Sequence, residues 1–165
     1  MRLLVVRHAI AVDREEWEGE DEQRPLTDEG RSKMKKAARG LARLVKKVDL
    51  LAASPLVRSR DTAAILAEAF GGLTVKTVPA LSPAQAPEAL ARWLEGETRQ
   101  ETIAIVGHEP GLAMAASWFL TGSDRPILEF KKGGAALIDL THGVGRGNGT
   151  LLWVLWPSHL RELGD

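Results

Sequence analysis

The stretch Arg2-Leu3-Leu4-Val5-Val6-Arg7-His8-Ala9 decides how this chain is read. Leu3 to Val6 is an unbroken aliphatic run, as in a strand buried on both faces of a parallel sheet, and it stops abruptly at a cation and an imidazole. Thr102 to Val106 repeats the pattern and stops at Gly107-His108-Glu109-Pro110. Asp49 to Ala53 is a weaker run leading into Ser54-Pro55, and Val75 to Val78 reads as a short strand. Helix signals lie between these runs. Thr27 is an N-cap candidate with Asp28 and Glu29 in the first turn, followed by Met34, Ala37, Ala38, Leu41, Leu44, Val45 and Val48 at helical spacing. Gly40 weakens that helix by about 1 kcal/mol relative to alanine. Ser54 and Pro55 read as N-cap and first residue of a helix that reaches Phe70 and closes at Gly71-Gly72. A further helix is expected over 85–95, and Pro110 opens another that runs to Leu120.

Strands alternating with helices imply right-handed crossovers, and so an α/β fold: a three-layer α/β/α sandwich around a mostly parallel sheet. Ala135 to Leu140 and Thr150 to Trp156 flank the glycine-rich 143–149 and predict an antiparallel hairpin at one edge. A single domain over 1–165 is expected, with no repeats. The chain has 165 residues, 44% hydrophobic and 27% charged, the profile of a globular domain rather than a disordered one. Lys plus Arg and Asp plus Glu number 22 each, so no global field favours nucleic acid or an anionic membrane. Cysteine is absent, which excludes disulfides, cysteine-ligated metals and thiolate nucleophiles. No apolar run is long enough for a signal or a membrane span, so a cytoplasmic protein is expected.

In open α/β sheets the ligand crevice lies outside the carboxyl ends of the strands. Three strand exits carry the same chemistry: Arg7-His8, then Ser54-Pro55 with Arg58 in the first helical turn, then Gly107-His108-Glu109-Pro110. Two arginines and two histidines on one rim, beside two helix N-termini, favour an anion, most simply phosphate. A neutral imidazole is also a nucleophile able to form a covalent phosphoenzyme. Neither a P-loop nor an HExxH run is present.

These motifs resemble the histidine phosphatase superfamily, the phosphoglycerate-mutase-like fold. Val5-Val6-Arg7-His8-Ala9 is similar to its signature. Arg24-Pro25-Leu26-Thr27 with Gly30, Ser54-Pro55-Leu56-Val57-Arg58 with Asp61-Thr62-Ala63, and Val106-Gly107-His108-Glu109-Pro110-Gly111 follow in the family's order. Short length and the lack of a helical insertion resemble the SixA-like protein-phosphohistidine phosphatase branch. The resemblance implies His8 as nucleophile, Arg7, Arg58 and His108 around the phosphate, and Arg24 as a further contributor. Ala9 replaces the usual glycine, and Asp61 stands where glutamine is common. Ala80-Leu81-Ser82-Pro83 lacks the glutamate that ester-cleaving branches place near Ser82, which biases the substrate towards phosphohistidine. Glu109 stands where the acid-phosphatase branch carries its proton donor, and so a broad small-molecule phosphomonoesterase is the alternative.

The expected partner is accordingly a phosphorylated protein or a small phosphorylated substrate. No cofactor or metal, no nucleic acid and no membrane is expected, and a monomer is. Arg31, Lys35, Arg39 and Arg43 at i, i+4 spacing, with Lys33, Lys36, Lys46 and Lys47, support a reading of another class: a non-enzymatic module docking an acidic partner through helix 31–47. The run Asp13 to Glu22, with seven carboxylates, reads as a solvated loop. Trp93, Trp118, Trp153 and Trp156 read as core or interface aromatics, and His142 and His159 as structural or exposed.

Overall fold

The computed structural model describes all 165 residues, Met1–Asp165. Strands β1 (Arg2–Arg7), β2 (Leu50–Ala53), β3 (Val75–Thr77), β4 (Thr102–Gly107), β5 (Ala135–Asp139) and β6 (Thr150–Leu155) form one sheet in the order β3-β2-β4-β1-β5-β6. The first four in that order are mutually parallel; β5 and β6 join antiparallel beside β1, as the hairpin expected at one edge. Helices α1 (Asp28–Leu44), α2 (Val57–Ala69) and α5 (Pro157–Gly164) cover one face, and α3 (Pro87–Glu95) and α4 (Gly111–Thr121) the other. The central strands are apolar between their ends because both faces are covered. Leu4, Val6, Ala104 and Val106 pack towards α1 and α2, while Leu3, Val5, Ile103 and Ile105 pack towards α3 and α4. Burying each larger aliphatic side chain contributes roughly 1.5–3 kcal/mol. No helix is long and apolar enough to cross a membrane.

Several local expectations are corrected. Ser54 and Pro55 do not cap α2, which begins at Val57 with Leu56 in the cap position. The buried Ser54 hydroxyl is drawn instead to His108, with Nε2 at 2.7 Å, and accepts the Leu56 N–H at 3.3 Å. Pro110 is the residue before α4 rather than its first. Thr27 caps α1 as expected, its Oγ1 accepting from Gly30 N at 2.9 Å, but the helix stops at Leu44, which is exposed. Val45 and Val48 reach the core from the segment that follows.

Helix α5 was not anticipated, and it explains Gly40. A Cβ on Gly40 would stand 2.0 Å from the Leu160 carbonyl oxygen, and one on Gly164 would stand 1.9 Å from that of Lys36. The two glycines let α1 and α5 touch backbone to backbone. Arg39 Nε then donates to Gly164 O at 3.0 Å, Arg43 donates to Leu163 O, and Lys36 pairs with Asp165 at 3.2 Å, cations meeting the carbonyl end of α5. Among the tryptophans, Trp118 is buried, Trp93 and Trp153 are partly buried, and Trp156 is 52% exposed; His142 and His159 are exposed.

Candidate active site

The parallel register aligns Arg7 with Gly107, so His8 and His108 leave adjacent strands side by side. Their rings lie 5.2 Å apart between centroids, tilted by 54°. His8 N donates to Gly107 O at 3.1 Å, and Gly133 N closes on the Arg7 and His8 carbonyls at 3.2 and 3.1 Å, which fixes the backbone at the strand end. Arg58 reaches the same place from the first turn of α2. Arg7, His8, Arg24, Arg58, His108 and Glu109, every residue singled out from the sequence, line one cleft of about 200 Å³. Arg14, Lys132 and Pro83 complete its lining, so the walls are almost wholly charged or imidazole.

Three features make this cleft chemically specific. First, the His8 ring is oriented. Its Nδ1 lies 2.7 Å from the Ala9 carbonyl oxygen, which can only accept, so Nδ1 carries the proton and Nε2 keeps its lone pair. Burial pushes the His8 imidazole down to about 3; the Ala9 carbonyl opposes the shift, and Arg58, Arg7 and Lys132 add to it. His8 is therefore neutral at pH 7. His108 is also pushed down to about 3, by burial first and then by His8 and Arg58. Its Nε2 faces the Ser54 and Ser59 hydroxyls at 2.7 and 3.2 Å. Neither buried hydroxyl has another acceptor within reach, so Nε2 receives the hydrogen bond and the ring proton sits on Nδ1.

Second, the arginines are anchored, Arg7 and Arg58 by their outer nitrogens alone. Arg7 Nη1 donates to Phe130 O at 2.7 Å. Arg58 Nη1 donates to Asp21 O at 2.9 Å and its Nη2 to Asp21 Oδ2 at 3.1 Å. Arg24 donates from Nε to Asp21 Oδ1 at 3.0 Å and from Nη1 to Val12 O at 2.8 Å. Arg7 Nε, Arg58 Nε and His108 Nδ1 are buried with no partner. Buried donors in such a state are rare and costly, and here all three belong to residues that line one polar cleft. Burial depresses both guanidinium pKa values, offset at Arg7 by Glu109 and Glu129 and at Arg58 by Asp21, yet arginine stays charged.

Third, Glu109 is the one carboxylate in the lining. Burial raises it to about 7, against the pull of Arg7 and a hydrogen bond from Ala113 N at 3.2 Å, with Glu129 adding to the rise. It is thus both an acceptor for the first turn of α4 and a proton store near neutrality. The 80–83 segment brings only Pro83 to the cleft. Ala9 uses its N–H on Thr62 Oγ1 at 3.0 Å, so its extra methyl stands beside a backbone group already satisfied. Asp61 pairs with Arg31 at 2.6 Å on α1. No group of three His, Cys, Asp or Glu suited to a metal ion occurs.

Arg14, Asp21, Ser54, Ser59 and Lys132 escaped the sequence reading as site residues. Asp21 sits in an acidic run whose other members are exposed, and Lys132 comes from a loop before β5 with no local signal.

A sequence model described as the histidine phosphatase superfamily (branch 1) matches residues 3–85, half of the chain. The chain belongs to the histidine phosphatase superfamily. An uncharacterized protein of Picosynechococcus sp. (strain ATCC 27264 / PCC 7002 / PR-6) is 35% identical over 148 residues, 88% of each chain. Among solved structures, the superfamily fold is shared with the protein histidine phosphatase SixA complexed with tungstate, at a TM-score of 0.83, 21% identity and coverage of 97% of this chain and 99% of that one. It is shared also with the alpha-ribazole phosphatase from Shigella flexneri, at a TM-score of 0.75, 16% identity and coverage of 95% and 97%. Chains of this fold thus include phosphatases named for different substrates.

Proposed function

We propose that this superfamily member hydrolyses phosphohistidine on a partner protein, through a phosphoenzyme on His8 and without a metal. The observation that carries the reading is that three buried, partnerless donors, Arg7 Nε, Arg58 Nε and His108 Nδ1, belong to residues lining the same cleft as His8, whose Nε2 is unprotonated. The phosphoryl oxygens supply the missing acceptors. Nε2 of His8 then attacks phosphorus in line, the bond from phosphorus to the departing nitrogen breaks, and that nitrogen keeps the electron pair. In the second step water attacks phosphorus, the bond to Nε2 breaks, and inorganic phosphate leaves. Neutral His108 acts here as a hydrogen-bond donor to a phosphoryl oxygen, and the two guanidinium groups carry the charge stabilisation.

The preference for phosphohistidine follows from leaving-group chemistry. Once solvent has protonated its other ring nitrogen, phosphohistidine releases a neutral imidazole, whose conjugate acid has a pKa of about 6.5, whereas an alkoxide needs a positioned acid. The 80–83 segment supplies none. Glu109 favours a second reading, a phosphomonoesterase, because, raised to about 7, it keeps a proton up to neutrality and lines the cleft. One experiment separates them. Turnover of a phosphohistidine protein is compared with that of an alkyl phosphomonoester, and brief incubation with labelled substrate traps acid-labile, base-stable phosphate on His8. Preference for the ester transfers the assignment to the second reading; no label on His8 overturns both.

A further inference from the structure

We infer that Asp21, from the acidic loop outside the family's nucleophile and phosphate contacts, is a positioning residue that sets the plane of Arg58 and locks Arg24 to it, so that their donors meet a tetrahedral oxyanion. The inference rests on the phosphatase reading of the same cleft. Asp21 gives both of its kinds of acceptor to one side chain: its backbone oxygen takes Arg58 Nη1 at 2.9 Å and its carboxylate takes Nη2 at 3.1 Å. A planar guanidinium held at both terminal nitrogens has no remaining freedom about its own plane, so the direction of the partnerless Nε is determined. The other carboxylate oxygen takes Arg24 Nε at 3.0 Å and lies 3.4 Å from Arg14 Nε. One side chain therefore gathers three guanidinium groups, which would otherwise repel one another and splay.

The contrast with Arg7 sharpens the point. Arg7 is tied by one bond to a neutral carbonyl of Phe130, inside a rigid strand end. Arg58 is more deeply buried, with 4% of its side chain exposed, and has no other anion near it. A cation so placed needs a compensating charge to stay put when the cleft is empty, and Asp21 is that charge. Its short turn, Asp21–Gln23, is anchored by Arg24 N donating to Asp21 O at 3.2 Å. The loop thus contributes one fixed carboxylate, while Glu15, Glu16, Glu18, Glu20 and Glu22 face solvent.

Asp21→Ala and Asp21→Asn are compared with wild type and with Glu22→Gln, an exposed carboxylate of the same loop. Tungstate affinity is measured by calorimetry, the Arg58 Nε–H resonance by NMR, and kcat and KM on a phosphohistidine protein. The expected results are tungstate binding weakened about 10- to 100-fold in Asp21→Ala, a matching fall in kcat/KM, and a shifted or broadened Arg58 signal. Asp21→Asn, which keeps one acceptor oxygen, falls between, and Glu22→Gln matches wild type. Unchanged or tighter tungstate binding in both Asp21 variants overturns the inference, since Asp21 would then be a bystander or a competitor for the arginines. If Asp21→Ala does not fold, Asp21→Asn and its Arg58 resonance decide. A wild-type protein that binds tungstate but turns over no phosphorylated substrate sinks the function and leaves the anion-binding comparison to judge Asp21.

Discussion

Arg39 and Arg43 on α1 and Arg7 and Arg58 in the cleft are the same side chain in opposite circumstances. On α1 the cations have settled partners: Arg39 and Arg43 bind the carbonyls that end α5, Lys36 binds the Asp165 side-chain carboxylate just beyond it, Arg31 binds Asp61, and Lys33 binds Glu29. In the cleft the arginines are anchored from behind and keep a buried Nε without an acceptor. A basic face is thus a poor marker of a site, because charge that is already used holds the fold together. Buried, unused donors mark a ligand's place when they gather on one polar cleft, as these do, and not when one stands alone, as Trp118 Nε1 does on α4. The docking reading of helix 31–47 weakens on the same ground, since most of that face has an intramolecular use.

The comparison breaks most simply at the nucleophile. His8→Ala should fold and lose phosphatase turnover by more than about 10⁴-fold, as removal of a covalent nucleophile does; circular dichroism and a phosphate-release assay check it. Arg58→Ala should cost roughly 10²- to 10³-fold in kcat, with tungstate binding weakened, because a donor aimed at the developing charge is gone. Glu109→Gln should cost about 100-fold on an alkyl phosphomonoester and little on phosphohistidine. Ester turnover by wild type should fall as pH rises past about 7, when Glu109 gives up its proton, and the variant should lack that limb.

Stability has its own pH signature. Folded Glu109 keeps its proton to about 7, whereas the unfolded carboxyl loses it near 4.5. Wild type should therefore lose stability relative to Glu109→Gln as pH rises from 4.5 to 7, seen as a growing gap in Tm. His8 and His108 work in the opposite direction: folded near 3 and unfolded near 6.5, they resist protonation in the native state, so acidification through that window destabilises. The smallest effect on chemistry belongs to the other basic region. Arg39→Ala should leave kcat unchanged and lower stability by about 1 kcal/mol through the lost bond to Gly164. A drop in kcat there would erase the distinction between the two regions.

Gly40 shows how a correct local rule can miss the reason for a residue. Helix propensity sees a cost of about 1 kcal/mol, whereas the structure sees a contact that only glycine permits. Gly40→Ala should destabilise by roughly 1–3 kcal/mol, as overpacking does, rather than stabilise the helix. Ser54 teaches the same lesson. Its place before Pro55 matches a cap, but a buried hydroxyl goes to whichever partner is nearest, and that is an imidazole 54 residues away. Asp21 was hidden by its neighbours, since a run of carboxylates reads as solvent-facing and nothing local separates the one that turns inward. Lys132 and the Phe130 carbonyl that holds Arg7 arrive from the loop before β5 and had no signal at all.

The chain alone determined the layers, the parallel strands and the convergence of Arg7, Arg58 and His108 on His8, because unbroken aliphatic runs must be covered on both faces and parallel strands must all exit at one end. Tertiary structure decided what keeps those groups ready: the Ala9 carbonyl on the His8 ring, the serines behind His108, Asp21 behind Arg58. It also decided that α5 would lie against Gly40. These depend on distances between segments remote in sequence, and residue spacing carries no information about which buried polar atom will find which partner.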